Sequence, residues 1–284
     1  MNATFQSAIL CFTALCVYPA LPVKAQQPAQ TPAPAPANPK PAQTDASSSR
    51  EDGLSIELDG WLPHANPVLR GGVADTNDDP GNLNLAGHVD VSPGVTVSFP
   101  AGRGSRLQVS YFQVQGNAHP TATQDLALFN QPFAAGDALV AGYKLQNAKI
   151  SWNYLTYPNP PTSKLRIKTL WEVQYTTMSS KIDAPADENA TRATGTKSII
   201  FPTFGLGVDY HATRNVRLEA HASGFALLHR ADIYDAEASA VIRMGPIDAH
   251  IGAKVFHFKT SPKGDEYYAA TVWGPYVGFE WGTR

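Results

Sequence analysis

Cysteine is almost missing from this chain. Two of its 284 residues are cysteines, Cys11 and Cys16, and both fall within the first 25 positions. A chain trimmed of that segment has no disulfide, no zinc thiolate and no thiol nucleophile. Charge is also scarce: 16% of residues, 22 basic against 24 acidic, for a net charge of −2. Nothing in that balance neutralises a nucleic-acid backbone, so nucleic acid is excluded as a partner. Long apolar runs are missing too. Beyond the N-terminus no stretch approaches the roughly 18 consecutive apolar residues of a membrane-spanning helix. Yet 43% of the chain is hydrophobic and 10% is aromatic. That much apolar surface without apolar blocks has to be distributed residue by residue, and alternation is the simplest way.

Residues 1–25 contain no acid and one base, Lys24; an apolar stretch from Ala8 to Leu21 leads into Val23-Lys24-Ala25. This is the pattern of a secretory signal peptide cut before Gln26. Leu10 and Leu15 precede the two cysteines, where a lipoprotein signal wants a small residue, so lipidation is not expected. Residues 26–48 hold six prolines and almost nothing bulky and apolar. They read as a disordered Pro/Ala-rich linker. The folded domain is expected over 49–284.

Within it the dominant signal has period two, which marks strands with one apolar and one polar face. In 165–177, Leu165, Ile167, Trp171, Val173 and Tyr175 share one face, and Arg166, Lys168, Glu172 and Gln174 the other. In 216–228, Arg217, Glu219, His221 and Ser223 alternate with Val216, Leu218, Ala220 and Ala222. Ten such segments are readable, near 54–62, 83–99, 105–115, 139–156, 165–179, 200–212, 216–228, 231–244, 247–259 and 267–281. Several are longer than the usual strand of a soluble sandwich. Connections at 101–104, 213–215 and 245–246 are short, whereas 63–82, 116–138, 180–199 and 260–266 are longer and polar. Short turns on one rim and long loops on the other are the habit of membrane-spanning barrels. The expected fold is therefore all-β: an antiparallel up-and-down transmembrane β-barrel of about ten strands, within a range of eight to twelve. An even count puts both ends of the domain, and the linker, on the short-turn side.

The strand–turn–strand style of 204–228 (FGLGVDYHATRNVRLEAHASGFALL), of 243–260 (RMGPIDAHIGAKVFHFKT) and of the closing YVGFEW resembles bacterial outer-membrane β-barrel proteins of the OmpA/OmpW-like kind. The resemblance implies an outer-membrane location in a Gram-negative envelope, with outer-membrane lipid and the barrel-assembly machinery as partners. It implies functions ranging from structural anchors to small pores and enzymes.

Parity then assigns the faces. Trp152, Trp171, Tyr175, Tyr267, Trp273, Phe279 and Trp281 are expected outward, as aromatic girdles at the membrane interfaces. Arg166, Lys168, Glu172, Arg217, Glu219, His221, Asp235, Glu237, Arg243 and Lys254 are expected inward as a lumen network. His88, Asp90, Asp248 and His250 have the same parity, with ion pairing favoured over metal binding. A soluble core does not bury this many charges without large desolvation costs, whereas a narrow barrel lumen accommodates them. The leading function is non-enzymatic, structural or a narrow pore for small solutes. One enzyme alternative rests on His221-Ala222-Ser223, which resembles the His-x-Ser of outer-membrane lipid A deacylases. That resemblance casts His221 as base, Ser223 as nucleophile and Asp235 or Glu237 as the orienting carboxylate. Asp209-Tyr210-His211 resembles the Asp-x-His of ten-stranded omptin proteases. A secreted soluble β-sandwich that binds a ligand is the remaining alternative. No cofactor motif and no tight metal-ligand set is present, so neither is expected.

Overall fold

The computed structural model describes residues 53–283, apart from 73–78, 80, 103, 157–163, 186–190 and 228–229. The expected leader, the linker and part of the expected loop 63–82 lie outside the described residues. None of the described residues is in a helix, and there are fifteen strands. In chain order these are β1 (Ser55–Trp61), β2 (His64–Gly71), β3 (Leu83–Asn84), β4 (His88–Val89), β5 (Ser92–Pro100), β6 (Ser105–Ala118), β7 (Leu126–Leu128), β8 (Gln131–Phe133), β9 (Val140–Thr156), β10 (Leu165–Asp183), β11 (Arg192–His211), β12 (Val216–Leu227), β13 (Ala231–Met244), β14 (Ile247–Lys259) and β15 (Glu266–Gly282).

Ten of them close into an antiparallel barrel in the order β1, β5, β6, β9, β10, β11, β12, β13, β14, β15. The seam runs from Ser55↔Gly282 to Trp61↔Tyr276. One sheet closed on itself removes the two-sheet sandwich from the alternatives and leaves no free edge through the wall. The first strand line breaks at Leu62-Pro63 and resumes as β2 along the upper half of β15, from Trp273↔His64 to Glu266↔Gly71. Proline has no N–H to give the ladder, so the wall bends there. Short turns make one rim. Gly245, at φ 69°, opens a two-residue turn before Pro246, a hairpin geometry that favours glycine. Both ends of the domain lie on this rim, where Thr283 N–H donates to the Leu54 carbonyl at 2.8 Å.

Three segments expected as loops are built differently. Residues 63–82 contain β2. The stretch 116–138 carries the small β7–β8 hairpin, paired from Leu126↔Phe133 to Leu128↔Gln131. Most of 180–199 continues β10 and β11 into a long arm, paired as far as Asp183↔Arg192. Conversely the second expected strand, 83–99, is regular only as β5, with β3 and β4 as two-residue fragments before it.

The inward face changes character along most of the long strands. From the short-turn rim upward, β14 sends in Asp248, His250 and Lys254, then Phe256 and Phe258. β10 sends in Glu172, Gln174 and Thr176, then Met178 and Ile182. β6 sends in Arg106 and Gln108, then Phe112 and Val114. The upper half of the interior is thus a hydrophobic core, completed from above by Leu69, Leu83, Leu85, Leu126, Leu128, Phe133 and Leu139. Phe129, at the hairpin tip with φ 51°, fills a notch left by the missing side chain of Gly195. A Cβ built on Gly195 would lie 1.8 Å from the Phe129 ring. The outer face is an apolar belt that includes Leu58, Ile150, Ile200, Leu206, Ile251 and Val277, all exposed.

Candidate functional site

Charged side chains converge in the lower half of the interior. Three lysines organise it, each between two carboxylates. Lys149 Nζ lies 2.6 Å from Asp235 Oδ2 and 3.6 Å from Glu172 Oε1. Lys254 Nζ lies 3.0 Å from Asp59 Oδ2 and 3.6 Å from Glu237 Oε2, and 4.0 Å from the centre of the Tyr276 ring. Lys168 Nζ lies 2.7 Å from Asp209 Oδ1 and 3.2 Å from Glu219 Oε2, and Arg217 also pairs with Glu219. Nearer the rim, His250 Nε2 is 3.3 Å from Glu280, Arg243 faces Asp248 at 3.8 Å, and Arg106 donates to Ser55 Oγ at 2.9 Å. Ion pairs removed from water persist only when several partners share the desolvation cost, and these do. Neutral groups complete the set. Glu172 accepts from Ser151 and Thr203, both at 3.0 Å, and from Gln174 at 3.4 Å.

All ten residues expected to form the lumen network line the interior cavities. A central cavity of about 140 Å³ lies between the charged layer and the apolar core; its walls include His221, Asp235, Glu237, Trp61, Phe112 and Phe256. Smaller cavities of about 70 and 20 Å³ share walls with it in series down to the short-turn rim.

The hydrolase constellation is brought near but not joined. Ser223 is buried, and its hydroxyl lies between Glu172 and Asp235 as a donor to the carboxylates. One hydroxyl proton serves one carboxylate at a time, and no hydrogen bond joins Ser223 to His221 among the described residues. His221 faces the cavity beside Glu237, its cross-strand neighbour. Asp209 is held by Lys168, while His211 sits at the short-turn rim with Nδ1 3.4 Å from the Lys164 carbonyl. His88 and Asp90 lie outside the lumen. They are 3.5 Å apart with side chains 74% and 60% exposed, because β4 stays paired with β6 in a register one residue out from that of β5, which turns the parity over. Among the described residues, no group of three or more metal-ligating side chains converges.

Six of the seven expected interface aromatics are exposed on the outer face, Trp171 most of all at 61%. Tyr267 departs from expectation. It is 4% exposed, its ring under the Arg70 guanidinium at 4.8 Å, because β2, read from sequence as loop, brings Arg70 alongside it. The sequence reading missed the aromatic ceiling of the cavity. Its signal was present in the inward parity of Trp61, Phe112 and Phe256.

Closure, strand number, the apolar outer face and the charged interior define the class: the chain has the fold of the bacterial outer-membrane β-barrel proteins. Among solved structures it is similar to the outer-membrane protease OmpT of Escherichia coli, at 8% identity over 82% of this chain and 97% of that one, with a TM-score of 0.53. It is also matched, at TM-scores below one half, to the translocator domain of the autotransporter NalP from Neisseria meningitidis (10% identity, 83% and 91% covered, 0.44) and to OprG from Pseudomonas aeruginosa (15%, 82% and 96%, 0.32). No protein-family model and no curated protein sequence matches the chain.

Proposed function

We propose that the chain is a non-enzymatic outer-membrane protein whose lumen is closed, so that it acts through its wall and its outward-projecting arm rather than as a pore. Outer-membrane lipid is then its solvent, and the barrel-assembly machinery inserts it from the periplasm. The observation that carries this reading is the apolar core in the upper lumen. A row of Phe112, Phe256, Phe258, Met178 and Leu145 under the β7–β8 hairpin leaves no polar path for a hydrated solute. The exposed apolar belt supports the location, since a contiguous patch of that extent is costly in water and matches a hydrocarbon layer. The similarity to a protease is a similarity of fold. Here the Ser223 hydroxyl is committed to carboxylates and Asp209 to Lys168, and neither arrangement favours hydrolysis.

The test is planar-bilayer recording of the refolded protein. Silence at high salt is expected, and steady single-channel steps would replace this reading with the pore. Substituting Ser223 with Ala is expected to leave lipid acyl release at background. A loss of release from an active wild type would restore the hydrolase.

A further inference from the structure

The central cavity does not balance its own charge. Of the six carboxylates that line it, Glu57 pairs with His250 and Glu219 with Lys168 and Arg217, which leaves Asp59, Glu172, Asp235 and Glu237 to share two lysines, Lys149 and Lys254. His221 also faces the cavity, with no hydrogen bond to Ser223 beside it. The ceiling above these acids is of another kind. The Trp61 and Phe112 rings meet edge-on at 5.6 Å, and Phe112 meets Phe256 at 5.1 Å. Acid excess on one side and aromatic faces on the other make a complement for one chemistry, a cation with an apolar body. The wall already accommodates such a group, since the Lys254 ammonium lies over the Tyr276 ring while reaching Asp59 and Glu237. The volume, about 140 Å³, is close to that of cavities known to hold a single benzene ring, roughly 150 Å³.

We infer that the central cavity is a binding site for a small organic amine, its ammonium among Glu237, Asp235 and His221 and its apolar part on Trp61, Phe112 and Phe256. Entry is from the short-turn rim, because the other end is sealed. The outermost step on that route carries Arg106, Arg217 and Arg243, so a cation loads slowly. This inference is independent of whether the barrel conducts.

The probe is benzylamine, with neutral benzyl alcohol as its isostere, on the full chain refolded in micelles. Both are added after folding with long incubation, and both are also present during refolding. Ligand-observed NMR against empty micelles reads the binding. Benzylamine is expected to bind saturably, one per chain, at least tenfold tighter than benzyl alcohol. Glu237→Gln is expected to weaken benzylamine at least fivefold and leave benzyl alcohol unchanged. Phe112→Leu, which keeps the charges, is expected to weaken benzylamine as well. Trp171→Leu, on the outer face, is expected to change nothing. Retention of the heat-modifiable band certifies folding of each variant. Equal affinity for the amine and the alcohol, or no saturable amine binding even after refolding in its presence, overturns the inference.

Discussion

Glu172 shows what an inward residue needs in order to stay charged inside a wall. It takes hydrogen bonds from Ser151, Thr203 and Gln174 and an ion pair from Lys149, so three strands, β9, β10 and β11, meet on one carboxylate. Removing the cation tests how tightly the group is coupled. Lys149→Met leaves Asp235 and Glu172 without their shared ammonium and is expected to cost about 3–5 kcal/mol, read as a fall in the urea midpoint in micelles. Gly195 tests the apolar half at the same scale. Gly195→Ala puts a methyl where the Phe129 ring lies and is expected to cost about 1–3 kcal/mol and to make the β7–β8 hairpin more susceptible to protease. Asp183, at the exposed end of the β10–β11 arm, accepts from Arg192 Nε at 2.6 Å and pairs with Lys181 at 3.1 Å. These partners hold its carboxyl below the usual 3.8. A depressed folded value means that its contribution is present above the unfolded value and is lost as pH falls through the folded one. NMR titration should find the Asp183 midpoint below 3.8, and Arg192→Gln should raise it.

At the scale of elements, the β7–β8 hairpin is the piece that completes the apolar core. Leu126, Leu128 and Phe133 face inward from it, and Phe129 and Asn130 hold left-handed conformations at its tip. Such backbone is costly for a side chain as large as phenylalanine and persists because packing on Gly195 and near Tyr268 fixes it. Replacing 126–133 by a short glycine turn is expected to keep the barrel closed while exposing the core. Dye binding to apolar surface should rise while the heat-modifiable band stays. This element was poorly legible in the sequence. Leu126 and Leu128 alternate, as strand residues do, but a three-residue strand inside a polar stretch gives too short a period to read. The same holds for β2, whose line is interrupted by Pro63 and Pro67. The long strands were legible because alternation over a dozen residues has no competing explanation.

The wall of the whole molecule separates two chemistries. Outside is the apolar belt, inside the charged layer, and the strand wall between them is one residue thick. On the proposed outer-membrane reading, an arginine on the outer face meets hydrocarbon, as a soluble protein's surface never would. Leu206→Arg, at a position 64% exposed, is expected to cost about 2–4 kcal/mol if the residue lies near the bilayer midplane, measured as refolding yield and urea midpoint in lipid vesicles. A neutral effect there would argue that the belt faces water.

Alternation determined that the chain is all-β, that it has about ten long strands, and which side chains of those strands point inward, while closure was decided by the seam between β1 and β15. Period two is a local property, and a wall with one apolar and one polar face imposes it at every residue. Scarcity of charge and absence of apolar blocks follow from the same wall. The tertiary structure alone decided what the inward residues meet. Whether Ser223 faces His221 or a pair of carboxylates, whether Lys149 bridges β10 and β13, and whether the upper lumen is water or packed phenylalanine depend on register between strands far apart in sequence and on loops folding over the barrel. Those are long-range contacts, which no local period encodes.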